Sequence, residues 1–293
     1  MSNLRPTGPT LAGTGEPLLN DPDTSLQLPM RSRVRFGGGA SGIERAEIDL
    51  ADEAYAPHRH DTYALGMTLS GVQAFRYRGA SRASVSGNVC VLHPDELHDG
   101  HPGTETGLAY YGLYVAPHRI AEALGGRLPF VPEPVSTDPR LAAAMRLAMT
   151  DFDSPISEIQ ATDIIASLAD ALKEVADNDA SAAGPLDTRA VGRVAALIDA
   201  APTEDFSIET LERISGLERW TLYRQFRGVH GVSPYRYVKM RRLDRARTLI
   251  RAGAGLAEAA LEAGFSDQSH LTRQFKDTYG FAPGRWRRML AAG

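Results

Sequence analysis

Hydrophobic residues change their period along this chain. Between Val34 and Val115 they tend to alternate with polar or small ones. Ala46, Ile48 and Leu50 alternate with Glu47 and Asp49, and Tyr63, Leu65, Met67 and Leu69 form a second series ending at Ser70-Gly71. Val72 to Arg78 stops at Gly79, Ser86-Gly87 opens Asn88 to Leu92, and Leu108 to Val115 is a last apolar run. Short runs of period two punctuated by glycine predict a small antiparallel barrel or double sheet. From residue 138 the period becomes helical. Leu141, Met145, Ala148 and Phe152 mark one helix, broken by Asp153-Ser154-Pro155, and Ile165, Leu168, Leu172 and Val175 form the seam of a second. Packing onto the barrel suits either helix.

Beyond Ser207 the chain contains one unit twice. Leu222-Tyr223-Arg224-Gln225-Phe226, Gly231, Ser233-Pro234 and Arg236-Tyr237 return 49 residues later as Leu271-Thr272-Arg273-Gln274-Phe275, Gly280, Ala282-Pro283 and Arg285-Trp286. A short helical run closed by a glycine precedes each copy: Ile208 to Ile214 before Gly216-Leu217, and Leu256 to Ala263 before Gly264-Phe265. Short helix, turn and second helix is the helix-turn-helix plan. In the first unit Leu222, Phe226 and Val229 face inward, while Trp220, Tyr223, Arg224 and Arg227 lie on the opposite side at helical spacing. In the second, Leu271 and Phe275 face inward and Ser269, Thr272, Arg273 and Lys276 outward. Arginine reaches a guanine edge bidentately, and Ser, Thr and aromatic residues contact thymine methyls. Arg227 and Lys276, a turn later, suit phosphates. A helix over about Tyr235 to Arg251 joins the units. Met240, Leu243, Ala246 and Ile250 form its buried stripe, and Arg236, Lys239, Arg241, Arg242, Arg245 and Arg247 crowd the rest. Its 17 residues span about 25 Å at 1.5 Å per residue, a rigid spacer between two recognition helices.

Charge follows the same division. Residues 1–185 carry 14 Lys+Arg against 24 Asp+Glu, and residues 186–293 carry 18 against 12. A basic C-terminal part beside an acidic N-terminal part predicts one nucleic-acid module and one with another task. The single cysteine, Cys90, sits in the apolar run Val89-Cys90-Val91-Leu92 and is expected to be a buried thiol. With no apolar run of membrane length and no signal-peptide pattern, a soluble cytoplasmic protein with no membrane partner is expected. Residues 1–29, rich in Pro, Gly, Thr and Asp, read as a flexible arm.

The segment from about Asp187 to Arg288 resembles the DNA-binding domain of the AraC/XylS family of bacterial transcription regulators. Gly264-Phe265-Ser266-Asp267, Phe275-Lys276 and Gly280-Phe281-Ala282-Pro283 lie close to that family's signature. The resemblance places base-reading positions at Trp220, Tyr223 and Arg224, and at Gln268, Ser269 and Arg273. Thr221 and His270 join them, with Arg227 and Lys276 as phosphate contacts. The family commonly has a Ser cap where this chain has Leu217-Glu218-Arg219. Glu at a helix N-terminus complements the dipole but repels nearby phosphate.

Histidines gather in the strand region. His58 and His60 alternate after Pro57 and so share one face of a strand, and His93, His98 and His101 follow Gly87. Pro57-His58-Arg59-His60 with the later Gly87, Pro94 and His98 resembles the two motifs of the cupin jelly roll, the sensor domain of many AraC-family members. The cupin metal site usually adds a Glu where Ala64 and Leu65 stand here. No cofactor is therefore expected, and His58, His60 and His98 remain candidates for a divalent metal. A small-molecule pocket in the barrel mouth is favoured, with His58, His60, Tyr63, Arg76, Tyr77 and His98 as candidate liners.

The expected architecture is α+β in two domains. A cupin-like β-barrel with trailing helices over 30–176, sensing ligand and dimerising, is followed by a linker over 177–186. An all-α domain with two helix-turn-helix motifs occupies 187–293. The resemblance assigns the second trailing helix, with its Ile165-Leu168-Leu172 seam, to an antiparallel dimer contact. The expected function is sequence-specific, ligand-controlled transcription regulation rather than catalysis. Its partners are double-stranded DNA, a small-molecule effector, a second copy of the chain and, as a candidate, RNA polymerase. The alternatives are a cupin metalloenzyme fused to a DNA tether and a regulator whose sensor takes no ligand.

Overall fold

The computed structural model describes residues 32–126, 128–177 and 186–291. The arm expected over 1–29 and nearly all of the linker expected over 177–186 lie outside them.

The strands are β1 (Arg33–Phe36), β2 (Ile43–Leu50), β3 (Tyr55–His58), β4 (Tyr63–Tyr77), β5 (Ala80–Val85), β6 (Val89–Leu92), β7 (His98–Pro102), β8 (Leu108–Val115) and β9 (Val135–Ser136). All pairings among them are antiparallel, in the order β1-β2-β8-β4-β6-β9, while β3 and β5 join through β7 and β4. One expectation needs correction. Ser70-Gly71 does not end a strand, because β4 runs through it for 15 residues. Its register against β8 shifts between Thr68 and Ser70. From Val72 onward β4 pairs with β5 and β7 instead. A bulge bends a strand, and here it turns one strand from the first sheet into the second. Alternation fades in the first half of β4 because Tyr63 to Thr68 are all buried. One face lies inside the barrel and the other under helices.

Those helices are α1 (Pro117–Ala123), α2 (Pro139–Met149) and α3 (Glu158–Val175). Asp138 caps α2 by accepting from the Arg140 amide, and a Ser157–Gln160 capping box starts α3. Tyr63, Leu65, Val91 and Leu113 of the sheet share one core with Leu141, Met145, Ile165, Leu168 and Leu172. The seam assigned to a dimer contact is thus spent inside this chain, with Leu168 and Leu172 fully buried. Period alone does not distinguish a helix face that packs on its own sheet from one that packs on a second copy. The Arg45 guanidinium on β2, also buried, donates to the carbonyls of Gly38, Ala148, Thr150, Phe152 and Ser154, which gathers the C-terminal end of α2 and the following turn.

The C-terminal part holds α4 (Thr188–Ala200), α5 (Ile208–Ser215), α6 (Arg219–His230), α7 (Pro234–Arg251), α8 (Leu256–Glu262), α9 (Gln268–Tyr279) and α10 (Pro283–Ala291). Each repeat has its own core. Val194, Ile198, Leu211, Leu222 and Phe226 make the first, and Ala260, Phe265, Leu271, Phe275 and Trp286 the second. Helix α7 gives Tyr237 to the first and Met240, Leu243, Ala246 and Ile250 to the second, so burial along one rigid helix ties the two units together.

Candidate functional site

The two recognition helices begin differently. Asp267 caps α9, accepting from the His270 amide at 2.7 Å. Glu218 stands at the N-cap of α6 with no side-chain capping bond. Glu212 of α5 supplies the carboxylate instead, accepting from the Arg219 amide at 2.7 Å. Trp220, Tyr223, Arg224 and Arg227 are exposed on α6, as are Gln268, Ser269, Arg273 and Lys276 on α9; Thr221 and His270 are half-buried. Arg224 donates to the Thr221 hydroxyl and Arg227 to the Tyr223 hydroxyl. Between the units lies a groove lined by Trp220, Tyr223, Lys239, His270 and Gln274, so side chains of both recognition helices border one cleft.

Away from these exposed faces, the sensor grips the helical part. Gly231 and Gly280 end α6 and α9 in left-handed backbone. A Cβ at Gly231 would lie 2.6 Å from Pro94 Cβ, and one at Gly280 would lie 3.0 Å from His58 Nδ1 and Tyr55 Cβ. The Ala56 amide donates to Gly280 O at 3.1 Å and the Arg59 amide to Asp277 O at 3.2 Å. Helix α7 contributes three ion contacts across the boundary: Arg241 with Asp61 at 2.6 Å, Arg247 with Glu44 at 2.7 Å and Arg236 with Asp95 at 2.7 Å. The Arg236 Nε–H is not aimed at that carboxylate and makes no hydrogen bond, whereas its Nη2 donates to Arg59 O at 2.7 Å. Phe36 of β1 lies 6.2 Å from the Trp286 ring centre, and Tyr55 lies 4.3 Å from that of Phe281. Five of the six cations expected to crowd α7 are therefore spent on protein: three reach the sensor, while Arg242 holds Pro202 O and Arg245 holds Glu262 O; Lys239 instead lines the groove between the units.

Of the six candidate pocket liners, the fold brings three together. The imidazoles of His58, His60 and His98 are buried, with ring centres 4.2 to 6.0 Å apart. Each places Nδ1 on a backbone carbonyl: Ala56 O at 2.8 Å, Thr62 O at 3.0 Å and Glu96 O at 2.9 Å respectively. A carbonyl only accepts, so each Nδ1 carries the proton and each Nε2 keeps its lone pair. Burial holds all three neutral, pulling His58 down to about 3 and the other two below their usual value, with His98 adding to the effect on His58 and His60. The remaining liners lie elsewhere. Tyr63 belongs to the core under the helices and donates to Pro129 O, and Arg76 is exposed. The Tyr77 hydroxyl is engaged by His93 at 2.9 Å. His93 itself is structural, its Nε2 accepting from the Val131 amide. Parity alone could not place Tyr63 and Arg76, because β4 changes sheets between them. Cys90 is buried, its thiol 3.4 Å from Gln73 Oε1.

The barrel interior beside the three histidines is nearly full, with a space of about 60 Å³. A larger cavity of about 340 Å³ opens between the sensor and the helical part, walled by Phe36, Tyr55, Tyr114, Met240 and Trp286. His230, the last residue of α6, lines it with both ring nitrogens buried and unpartnered. Burial pulls its pKa down to about 3, assisted by His118 and Arg241. Sequence reasoning missed His230, Asp61, Glu44 and Asp95. The one available signal was the excess of arginine on a helix read as a spacer.

Residues 41–169 match a family described as the AraC-like ligand binding domain, and residues 211–289 match a helix-turn-helix domain family. The probable transcription factor PqrA of Proteus vulgaris is 34% identical over 85 residues, which cover 29% of this chain and 70% of that protein. The chain belongs to the AraC/XylS family. Similarity to other AraC/XylS-type regulators extends over both parts: the activator RhaS of Escherichia coli is 25% identical over 84% of this chain and 91% of its own length. The Bacillus subtilis regulator YbfI is 22% identical over 75% of this chain and 82% of its own. The fold matches that of ToxT from Vibrio cholerae with a TM-score of 0.63 at 14% identity, covering 87% of this chain and 98% of that one. This AraC/XylS member is a DNA-binding transcription regulator with an N-terminal ligand-binding domain, and not an enzyme. No helix among its described residues is long and apolar enough to cross a membrane.

The three histidines also fit a metal ion. Ligating histidines usually donate their second ring N–H to a carbonyl or carboxylate, as all three do here. Three neutral Nε2 donors without carboxylate or thiolate suit zinc or another imidazole-preferring divalent ion.

Proposed function

We propose that this regulator reads DNA with Trp220, Thr221, Tyr223, Arg224 and Arg227 of α6 and with Gln268, Ser269, His270, Arg273 and Lys276 of α9, and that a small molecule between its two parts controls how those helices are held. The observation that carries this reading is the sensor's contact with both Gly231 and Gly280. Equivalent ends of the two recognition helices are braced by one domain, while their base-reading faces stay largely exposed. A change at the boundary therefore reaches both helices at once, which is the two-state element that ligand control requires.

The effector site proposed is the cavity of about 340 Å³ at this boundary. The nearly full barrel interior does not offer comparable room. The cavity's walls combine aromatic and apolar side chains with the charged Glu44, Asp61, Arg241, Asp244 and Arg247, and His230 adds an unsatisfied polar anchor. A molecule with an apolar body and one polar head suits that make-up. In ToxT the bound molecules are an unsaturated fatty acid and a naphthalene-bearing butenoic acid, both of that form. The sensor is taken as 30–176 and the DNA-binding domain as 187–293, in a cytoplasmic homodimer that meets RNA polymerase at promoters. With the α3 seam buried, the dimer contact would fall on the outer face of α3, where Ile159 is 78% exposed.

The test is a thermal-shift screen of metabolites on the full chain, followed by DNA binding with each stabilising compound. The reading expects a stabiliser that alters DNA affinity and loses its effect in His230→Phe. A stabiliser acting equally on wild type and variant would remove the cavity from the account.

A further inference from the structure

The segments that carry the three histidines are the same ones that touch the recognition helices. His58 ends β3, whose Ala56 amide holds Gly280 O. His60 follows Arg59, whose amide holds Asp277 O. The His60 carbonyl accepts from the Asp95 amide at 2.7 Å, and Asp95 faces Arg236 while its neighbour Pro94 lies against Gly231. His98 begins β7, directly opposite His58 in the β3–β7 register. Only two residue pairs register β3 on β7, Tyr55 with Gly100 and His58 with His98, with an irregularity between them. This short, irregular pairing is what positions the strand that grips α9.

At the centre of that pairing sit three Nε2 lone pairs that no donor among the described residues engages. The candidate ligand atoms lie within 4.8 Å of one another. Nitrogens bound tetrahedrally at 2.0–2.1 Å stand about 3.4 Å apart. Binding an ion would therefore draw the ligand atoms together by up to roughly 1.4 Å, and the ring centres stand furthest apart between His58 and His60, at 6.0 Å.

We propose that His58, His60 and His98 hold a divalent transition metal through Nε2, and that this ion fixes β3 and the Pro94–Asp95 turn so that DNA affinity becomes metal-dependent. The ion links β3 to β7 where few backbone bonds do so. The Gly280 and Gly231 contacts then become rigid, and both recognition helices are preorganised for one duplex. The ion acts on positioning alone, since its ligands are buried whereas the DNA-reading side chains are largely exposed. This inference uses the proposed bracing of the two helices but not the effector cavity.

The experiment uses the full chain after chelator treatment, titrated with Co(II) and separately with Zn(II). Bound metal is read by equilibrium dialysis and by the visible Co(II) spectrum. Affinity is then measured for a duplex selected from a randomised library by the same chain. The result expected is one ion per chain, a Co(II) spectrum of nitrogen coordination, and at least tenfold tighter DNA binding in the loaded form. His98→Gln, checked for fold by circular dichroism, should lose the ion and the metal response while binding DNA like the stripped wild type. Absence of stoichiometric binding by the wild-type chain would overturn the site. Stoichiometric binding that leaves both DNA affinity and amide exchange around Gly280 unchanged would overturn the coupling. If the stripped chain also selects no duplex, the DNA-reading assignment fails first, and the dialysis result still decides the metal site.

Discussion

Gly231 and Gly280 occupy equivalent places 49 residues apart, each closing a recognition helix in left-handed backbone and each covered by sensor residues. The repeat explains why both are glycine, since a left-handed C-cap follows each second helix. The sensor explains why neither tolerates a side chain, since both sites are already filled by another part of the chain.

Gly280→Ala should separate these two causes. Left-handed backbone costs a non-glycine residue about 1–2 kcal/mol, and that loss should appear in both residues 187–293 alone and the full chain. The close approach to Tyr55 and His58 exists only in the full chain, which should lose additional stability. Denaturant unfolding of the two forms checks this. Equal losses would mean that the sensor contact carries no energy.

The boundary ion pairs should couple. Asp61 is 6% exposed, so Arg241→Ala leaves a carboxylate buried without its partner. Breaking such a pair from one side costs about 3–5 kcal/mol, reduced here because the Arg241 side chain remains about a quarter exposed. Arg241→Ala with Asp61→Asn should then cost less than the two single changes added together. Additive losses in a double-mutant cycle would show that the pair does not hold the parts together.

Stability should fall in acid. Burial lowers His58 and His230 to about 3 and His93 to about 4, whereas an unfolded histidine titrates near 6.5. The folded state thus binds fewer protons. This contribution is fully present above pH 6.5 and is lost as pH falls from there toward 3, by about 1.4 kcal/mol per unit for each histidine. His230→Phe should flatten one such slope while stacking on Phe226 as His230 does. An unchanged profile between pH 6 and 4 would show that His230 is not held neutral.

Much of this was legible in the sequence. The repeat at 49 residues located both recognition helices, and their outward stripes are the faces found exposed. Alternation in β2 and the apolar run of β8 located those strands. What stayed hidden required distant partners. Arg45 reads as a polar strand position, yet the helix-end carbonyls it gathers lie more than 100 residues away. Ile165, Leu168 and Leu172 read as a seam whose partner period cannot identify. The arginines of α7 read as a solvated spacer because Asp61, Glu44 and Asp95 are remote in the chain. His58 and His60 were placed together by parity, but their convergence with His98 depended on the β3–β7 register.

Within the recognition helices, Arg224 should specify sequence and Arg227 should supply affinity. Arg224 lies mid-stripe on an exposed face between Trp220 and Arg227. Arg224→Ala should cost about 1–3 kcal/mol on the preferred duplex and relax the base preference at one position. Arg227→Ala should weaken all sequences alike and lower the salt slope by about one. Arg273 should behave as Arg224 does, roughly one turn of DNA away. Uniform weakening by Arg224→Ala, with base preferences unchanged, would overturn its assigned role.

The central claim is that the sensor sets the relation between the two recognition helices. The most direct test is selection from a randomised duplex library by the full chain and by residues 187–293. Each repeat has a core of its own, so the shorter piece should still fold and bind DNA in a salt-sensitive way. The account predicts that the full chain selects two contacted patches at one fixed spacing near a helical turn, while the shorter piece binds more weakly and accepts several spacings. Identical affinity and an identical spacing profile for both would contradict it.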